Sequence, residues 1–130
     1  VPAEIMGYFE EYTRLVLDMS AGLKDILITR DPELALRLTE DDDAVDDINH
    51  HLLRMLTQRE WKGTVRQAVE TSQLSRYYER FADHCAAAAG RIIYLATGLD
   101  PDRYMRKRDQ EQRDAEMEAR MAELERQFRN

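Results

Sequence analysis

The 130-residue sequence predicts an all-α fold: an antiparallel three-helix bundle followed by an additional C-terminal helical tail. Three observations predict it. Ala, Leu, Glu, Arg and Met abound, while only five Gly and three Pro occur, five of these eight where an element would begin or end. Apolar residues recur at steps of three and four along each long segment, the mark of one buried helical face. The connections between segments are short, which makes successive helices antiparallel neighbours. A hydrophobic content of 43% supports a packed core, and a chain of this length buries roughly two thirds of the surface it exposes unfolded.

The first helix is predicted from about Ala3 to Ile28, with Ile5, Phe9, Tyr12, Val16, Met19, Leu23 and Ile26 as its inner stripe. Asp31 and Pro32 stop it and start the next, Asp31 as N-cap and Pro32 at the first helical position. The second helix runs from Pro32 to about Trp61 and buries Leu34, Leu38, Val45, Ile48, Leu52 and Met55. Gly63 suits the left-handed residue just past its end, and Trp61 at the tip reads as a cap on the bundle in preference to a contact residue. Thr64 with Gln67 makes a capping box for the third helix, which stops at Gly98 and whose core stripe reads Leu74, Tyr77, Phe81, Ala88, Ile92 and Leu95. Asp100 and Pro101 repeat the cap-then-proline device and open a fourth helical segment to about Phe128. Its charges are balanced and intermixed, as in the pair Glu116/Arg120, and Met117, Met121, Leu124 and Phe128 make barely two heptads. Residues 1–98 thus form the bundle and residues 99–130 a charged helical tail, either solvated or used in self-association or in docking on a partner. The chain opens on Val1 rather than Met, with Pro2 starting a helix at once, which reads as a piece of something longer or a processed product.

Charge and cysteine content narrow the function. A net charge of −7 argues against nucleic acid as the main partner and suits cations or basic protein surfaces. Cys85 stands alone, which excludes a disulfide framework and a cysteine-based zinc site and fits a reducing compartment. No apolar run approaches the ~20 residues that span a bilayer, and no signal peptide is recognisable. Nothing resembles a nucleophile–base arrangement: Ser72 and Ser75 have no His–acid relay, and no Gly-rich phosphate loop occurs, so no catalytic residue is assigned.

The chemistry lies in carboxylates. From Glu40 to Asp47, six of eight residues are acidic, well beyond the first turn where the helix dipole would favour them. Asp42/Asp46 and Glu79/Asp83 are i,i+4 pairs on consecutive helices. Asp46 lies 16 residues before Lys62 and Glu79 lies 17 after it; Asp42 and Asp83 lie 20 before and 21 after. An antiparallel hairpin levels Asp46 with Glu79 and Asp42 with Asp83, about 25–30 Å from the turn. Counting about 100° per residue from Ile48 and Phe81 puts all four at or near the surface. Four such charges repel unless a cation or basic partner sits among them, and hard oxygen donors favour Mg²⁺, Mn²⁺, Ca²⁺ or Fe³⁺.

Asp47 and His50 make a single acid-x-x-His element, of which a ferritin-like di-iron site needs two, facing inward. His50 and His51 read as surface residues, and His84 as a core-edge histidine bonded to a carbonyl. Arg76 and Arg80 have acids at helical spacing, so pairing within the helix is expected. With Tyr78 they also form the candidate partner-binding group beside Glu79.

Two motifs carry a family resemblance: Asp42-Asp43-Ala44-Val45-Asp46-Asp47-Ile48, and Leu74-Ser75-Arg76-Tyr77-Tyr78-Glu79-Arg80-Phe81-Ala82-Asp83-His84. Together they resemble the doubled acidic motif of the PhoU family, accessory regulators of phosphate-specific transport, and the Ser75–His84 run is most similar to actinobacterial members. The resemblance implies one of the family's two tandem three-helix bundles, most like the C-terminal one, over 3–98. It implies candidate metal ligands at Asp42, Asp46, Glu79 and Asp83, with divalent or ferric ions (Fe, Mn, Mg or Zn) as the cofactor. It further implies a non-enzymatic cytoplasmic regulator that represses phosphate-starvation signalling. Such a regulator bridges the ATPase subunit of the phosphate ABC transporter and a sensor histidine kinase, peripheral to the membrane through the transporter, with a homo-oligomer in prospect. One departure is that Cys85-Ala86-Ala87-Ala88-Ala89-Gly90 lacks the Asn and acid that the family often carries there. Two rivals stand beside this reading: a ferritin-like storage or redox protein, and a structural helical adaptor whose tail oligomerises.

Overall fold

Four helices account for nearly all of residues 3–129, the residues that the computed structural model describes: α1 (Ala3–Thr29), α2 (Pro32–Leu56), α3 (Val65–Thr97) and α4 (Pro101–Phe128). The helix start expected at Pro2 lies outside them. The boundaries follow local chemistry. Asp31 Oδ1 accepts from the Glu33 amide at 2.9 Å, and Pro32 follows at the first helical position. Thr64 and Gln67 form both bonds of the capping box, at 2.9 and 3.0 Å. Gly98 takes a left-handed φ of 75° and its amide donates to the Tyr94 carbonyl at 2.7 Å. Asp100 Oδ1 accepts from the Arg103 amide at 2.8 Å.

α2 ends five residues before the expected Trp61. Thr57 turns both its amide and its hydroxyl back to the Leu53 carbonyl, at 3.1 and 2.8 Å, and closes the helix there. Gly63 is therefore not the left-handed residue the sequence suggested; among the described residues only Gly98 is a glycine with positive φ. Its role is space, because a Cβ there would overlap the Trp61 ring. Trp61 does close the tip of the bundle: half-buried, it packs on the core and its Nε1 donates to the Thr64 carbonyl at 3.2 Å.

The core is built by Ile5, Phe9, Tyr12, Met19 and Ile26 from α1, Leu38, Val45 and Leu52 from α2, and Ala82, Cys85, Ala89 and Ile93 from α3. Here the expected face of α3 is corrected. Leu74, Tyr77, Phe81 and Leu95 are exposed, whereas Thr71, Ser75, Ala82, Cys85 and Ala89 face inward with Ile92 and Ile93. Small inward residues let α3 approach its neighbours closely, and that packing outweighs the larger apolar area on the opposite side. His84 is exposed rather than core-edge, since it shares the outward side of Phe81.

α4 touches the bundle only at its start. Tyr104 and Met105 pack on the core. The Tyr104 hydroxyl donates to Glu33 Oε1 at 2.6 Å, and Arg108 reaches Glu33 Oε2 at 2.9 Å. From Gln110 onward every described residue is exposed. Short local pairs such as Arg126–Glu123 at 2.6 Å hold this part; the expected Glu116/Arg120 pair is not formed.

Candidate functional site

Turning the small face of α3 inward also turns Glu79 and Asp83, which lie opposite Phe81 on the helix, towards α2. On α2, Asp42 and Asp46 sit about 60° from the buried Val45 and Asn49. The two pairs thus meet along one α2–α3 seam. One carboxylate oxygen from each of Asp42, Asp46 and Asp83 lies within 4.8 Å of the other two. Glu79 is half-buried and near enough for its charge to act on Asp46, but it stands outside that trio.

The expectation that all four acids lie at or near the surface, without costly burial of charge, is corrected in its second half. Asp83 is exposed, but Asp42, Asp46 and Glu79 are half-buried, and Asp42 Oδ1 and Asp46 Oδ1 are fully buried without a hydrogen-bond partner. Ile48 and Phe81 misplaced the count, because neither marks the centre of its helix's buried face. Burial, then the adjoining Asp83 carboxyl, then the charges of Asp46 and Asp43, push Asp42 up to about 7. Asp46 is raised as well, by burial first and then by Asp83, Glu79 and Asp43, with His50 opposing.

Two orphaned, desolvated carboxylate oxygens are costly unless something positive meets them. The donor set is all hard oxygen, with one exposed member that leaves the cluster open to solvent. These residues therefore fit a hard cation.

One turn towards the hairpin tip lies a layer the sequence reasoning missed. Ser75 Oγ donates to Asn49 Oδ1 at 2.8 Å and accepts from the Tyr12 hydroxyl, tying the three helices together in the interior. The available signal was spacing: Asn49 is three residues after Asp46 and Ser75 four before Glu79, so each shares a face with an acid. Burial raises Tyr12 to about 12, against the Ser75 bond and with help from the charges of Glu79 and Asp46.

Among the expected partner-binding residues, Tyr78 stacks on Tyr12, with ring centres 5.2 Å apart and planes 7° off parallel. Arg76 and Arg80 are exposed, and the expected pairing within the helix is not formed, since neither has an ion pair among the described residues. His50 and His51 are on the surface, where His51 Nε2 meets the Tyr8 hydroxyl at 2.9 Å. No described helix is long and apolar enough to cross a membrane.

Fold and site together define a helical-bundle protein with a carboxylate cluster between two adjacent helices. Residues 9–92 match the family model described as the PhoU domain, and the chain belongs to the PhoU family. It is 43% identical over 102 residues to the phosphate-specific transport system accessory protein PhoU homolog 1 of Mycobacterium leprae, covering 78% of this chain and 46% of that protein. It is 44% identical over 101 residues to PhoU homolog 2 of Mycobacterium tuberculosis (strain ATCC 25618 / H37Rv), covering 78% and 47%. A PhoU homolog of Synechocystis is 36% identical over 69 residues, 52% of this chain and 31% of that one. The chain spans about half the length of the curated relatives it matches most extensively. No solved structure matches.

Proposed function

We propose that this chain is a non-enzymatic regulator of phosphate uptake and phosphate-starvation signalling, working in the cytoplasm by protein–protein contact and holding a cation at Asp42, Asp46 and Asp83. Glu79 adds a fourth negative charge from one turn away. The observation that supports the cation most directly is the pair of buried, partnerless oxygens on Asp42 and Asp46 beside a third carboxylate. A bound divalent or ferric ion would neutralise the seam and fix α2 against α3. The relatives' names support the transport role: they are accessory proteins of a phosphate-specific transport system. The partners would be the ATPase subunit of the phosphate ABC transporter and the sensor histidine kinase. The rigid acidic flank of the bundle complements a basic patch on either, and such complementarity governs encounter rate and choice of partner.

Metal analysis of protein purified without chelator tests the site. Wild type should carry about one equivalent of Mn, Fe, Mg or Zn that Asp42→Asn/Asp46→Asn loses; equal metal in both removes the assignment. Capture of the ATPase subunit and of the kinase under phosphate-rich conditions tests the regulatory half separately. Failure to retain either partner would defeat it even with the metal in place.

A further inference from the structure

Nearer the hairpin tip, the face of α2 and α3 that carries the carboxylates opens into an apolar cleft. Leu53 lies seven residues after Asp46 and Ser72 seven before Glu79, two helical turns in each case, so cleft and seam share a side. The cleft measures about 340 Å³, and its walls are Leu53 and Leu56 of α2, Trp61 of the connection, and Val65, Ala68 and Val69 of α3. No residue of α1 lines it. Val65 is 81% exposed and Val69 50%, so apolar surface stays open to water along the first turns of α3. The Trp61 indole commits its N–H to the Thr64 carbonyl and leaves the cleft only an apolar ring.

The rim of this cleft is basic. Arg54 adjoins Leu53, Lys62 adjoins Trp61, Arg59 sits in the same connection, and Arg76 lies one turn beyond Ser72 on α3. All four are exposed, and none has an ion pair among the described residues. Arg66, the remaining base of this stretch, is held by Glu70 at 3.1 Å. From Leu53 to Arg76 five bases stand against two acids, in a chain whose net charge is −7. Unpaired cations around an apolar cleft attract negative groups and turn basic ones away.

Shape and charge together select the occupant. A cleft about two turns long between two helices accepts a short amphipathic segment, which lays its apolar side chains inward and carries acids along its edges. A flat anionic bilayer fits it less well. The cleft is concave, and the carboxylates about 10 Å further along the same face repel lipid headgroups of their own sign.

We propose that the cleft beside Trp61 docks an acidic amphipathic segment of a partner protein. The docking is independent of the cation and of which partner supplies the segment. Trp61 is the single tryptophan of the chain, so its emission reads the cleft directly. A synthetic helix with leucines along one side and glutamates along the other should shift that emission to the blue and saturate. The same helix with lysine in place of glutamate should not. Arg54→Glu/Lys62→Glu, which alters only exposed charges, should weaken the glutamate helix about tenfold or more, and Val69→Asp should do the same. Circular dichroism should report an unchanged fold in both variants. Equal affinity for the two helices, or no response to either, overturns the proposal. So does a larger shift with phosphatidylserine vesicles, which would mean a membrane surface. A shift on raising the protein concentration alone overturns it too, since a second copy would then fill the cleft.

Discussion

Asp42 carries the least comfortable proton balance in the molecule. Its folded-state pKa is raised to about 7 by burial, then by Asp83 and the neighbouring charges. In the unfolded chain the same carboxyl titrates near ~3.9. Between those values the native state binds more protons than the unfolded one, so stability falls as pH rises through the window. Metal-free protein, prepared with chelator, should therefore melt higher at pH 5.5 than at pH 7.5. Asp42→Asn, which removes the charge and keeps the shape, should flatten that slope and gain about 1 kcal/mol at pH 7.5, a figure discounted for solvent screening. A variant with an unchanged slope, followed by thermal melts across pH, would show that the repulsion is relieved some other way. Ser75 works in the opposite sense. Ser75→Ala strands the Tyr12 hydroxyl and Asn49 Oδ1 in the interior and should lose about 1–3 kcal/mol in urea unfolding.

The elements were legible at their ends more than on their faces. Asp31-Pro32, Thr64 with Gln67, Gly98 and Asp100-Pro101 announce three of the four helix starts and the end of α3, because caps are local chemistry that a few side chains decide. Of the inner face of α3, only Ile92 and the half-buried Ala88 were legible. Its outward side holds Leu74, Tyr77, Phe81 and Leu95 and its inward side Ser75, Ala82, Cys85 and Ala89, so apolar periodicity points away from the core. Close helix approach selected small residues, a tertiary demand that no local pattern encodes. The acids inherited that error: their spacing and level were readable, but their half-burial followed from which side α3 turns in. The end of α1 was expected within a residue, but not the backbone that makes it. Arg30, just past α1, adopts a φ of 54°, a left-handed conformation that an L side chain disfavours by roughly 1 kcal/mol. Arg30→Gly should remove that strain and, after the extra flexibility of the unfolded chain, stabilise by about 0.5 kcal/mol. A lowered urea midpoint would mean that the arginine makes a contribution the backbone argument overlooks.

At the scale of the whole molecule, the bundle has an apolar core, a Trp61 lid at the hairpin tip, and a charged seam that opposes closure of α2 on α3. A cation in that seam would reverse the pH behaviour. Ions bind deprotonated carboxylates, so occupancy falls as Asp42 takes up its proton and rises as pH climbs through about 7. Because Asp83 lies 37 and 41 residues beyond the other two donors, the unfolded state does not assemble the three-carboxylate site, and binding free energy becomes folding free energy. At a free cation concentration one hundred times Kd, the stabilisation is about 2.7 kcal/mol. For a chain of this size that raises Tm by roughly 8–15 °C. Melts in Mn²⁺ or Mg²⁺ should therefore climb from pH 5.5 to pH 7.5, the opposite slope to metal-free protein, and Asp42→Asn/Asp46→Asn should show neither the climb nor any response to the ion. A cation-induced rise that persists in that double variant would place the ion elsewhere on this acidic molecule. The seam would then be a source of repulsion relieved only by a basic partner.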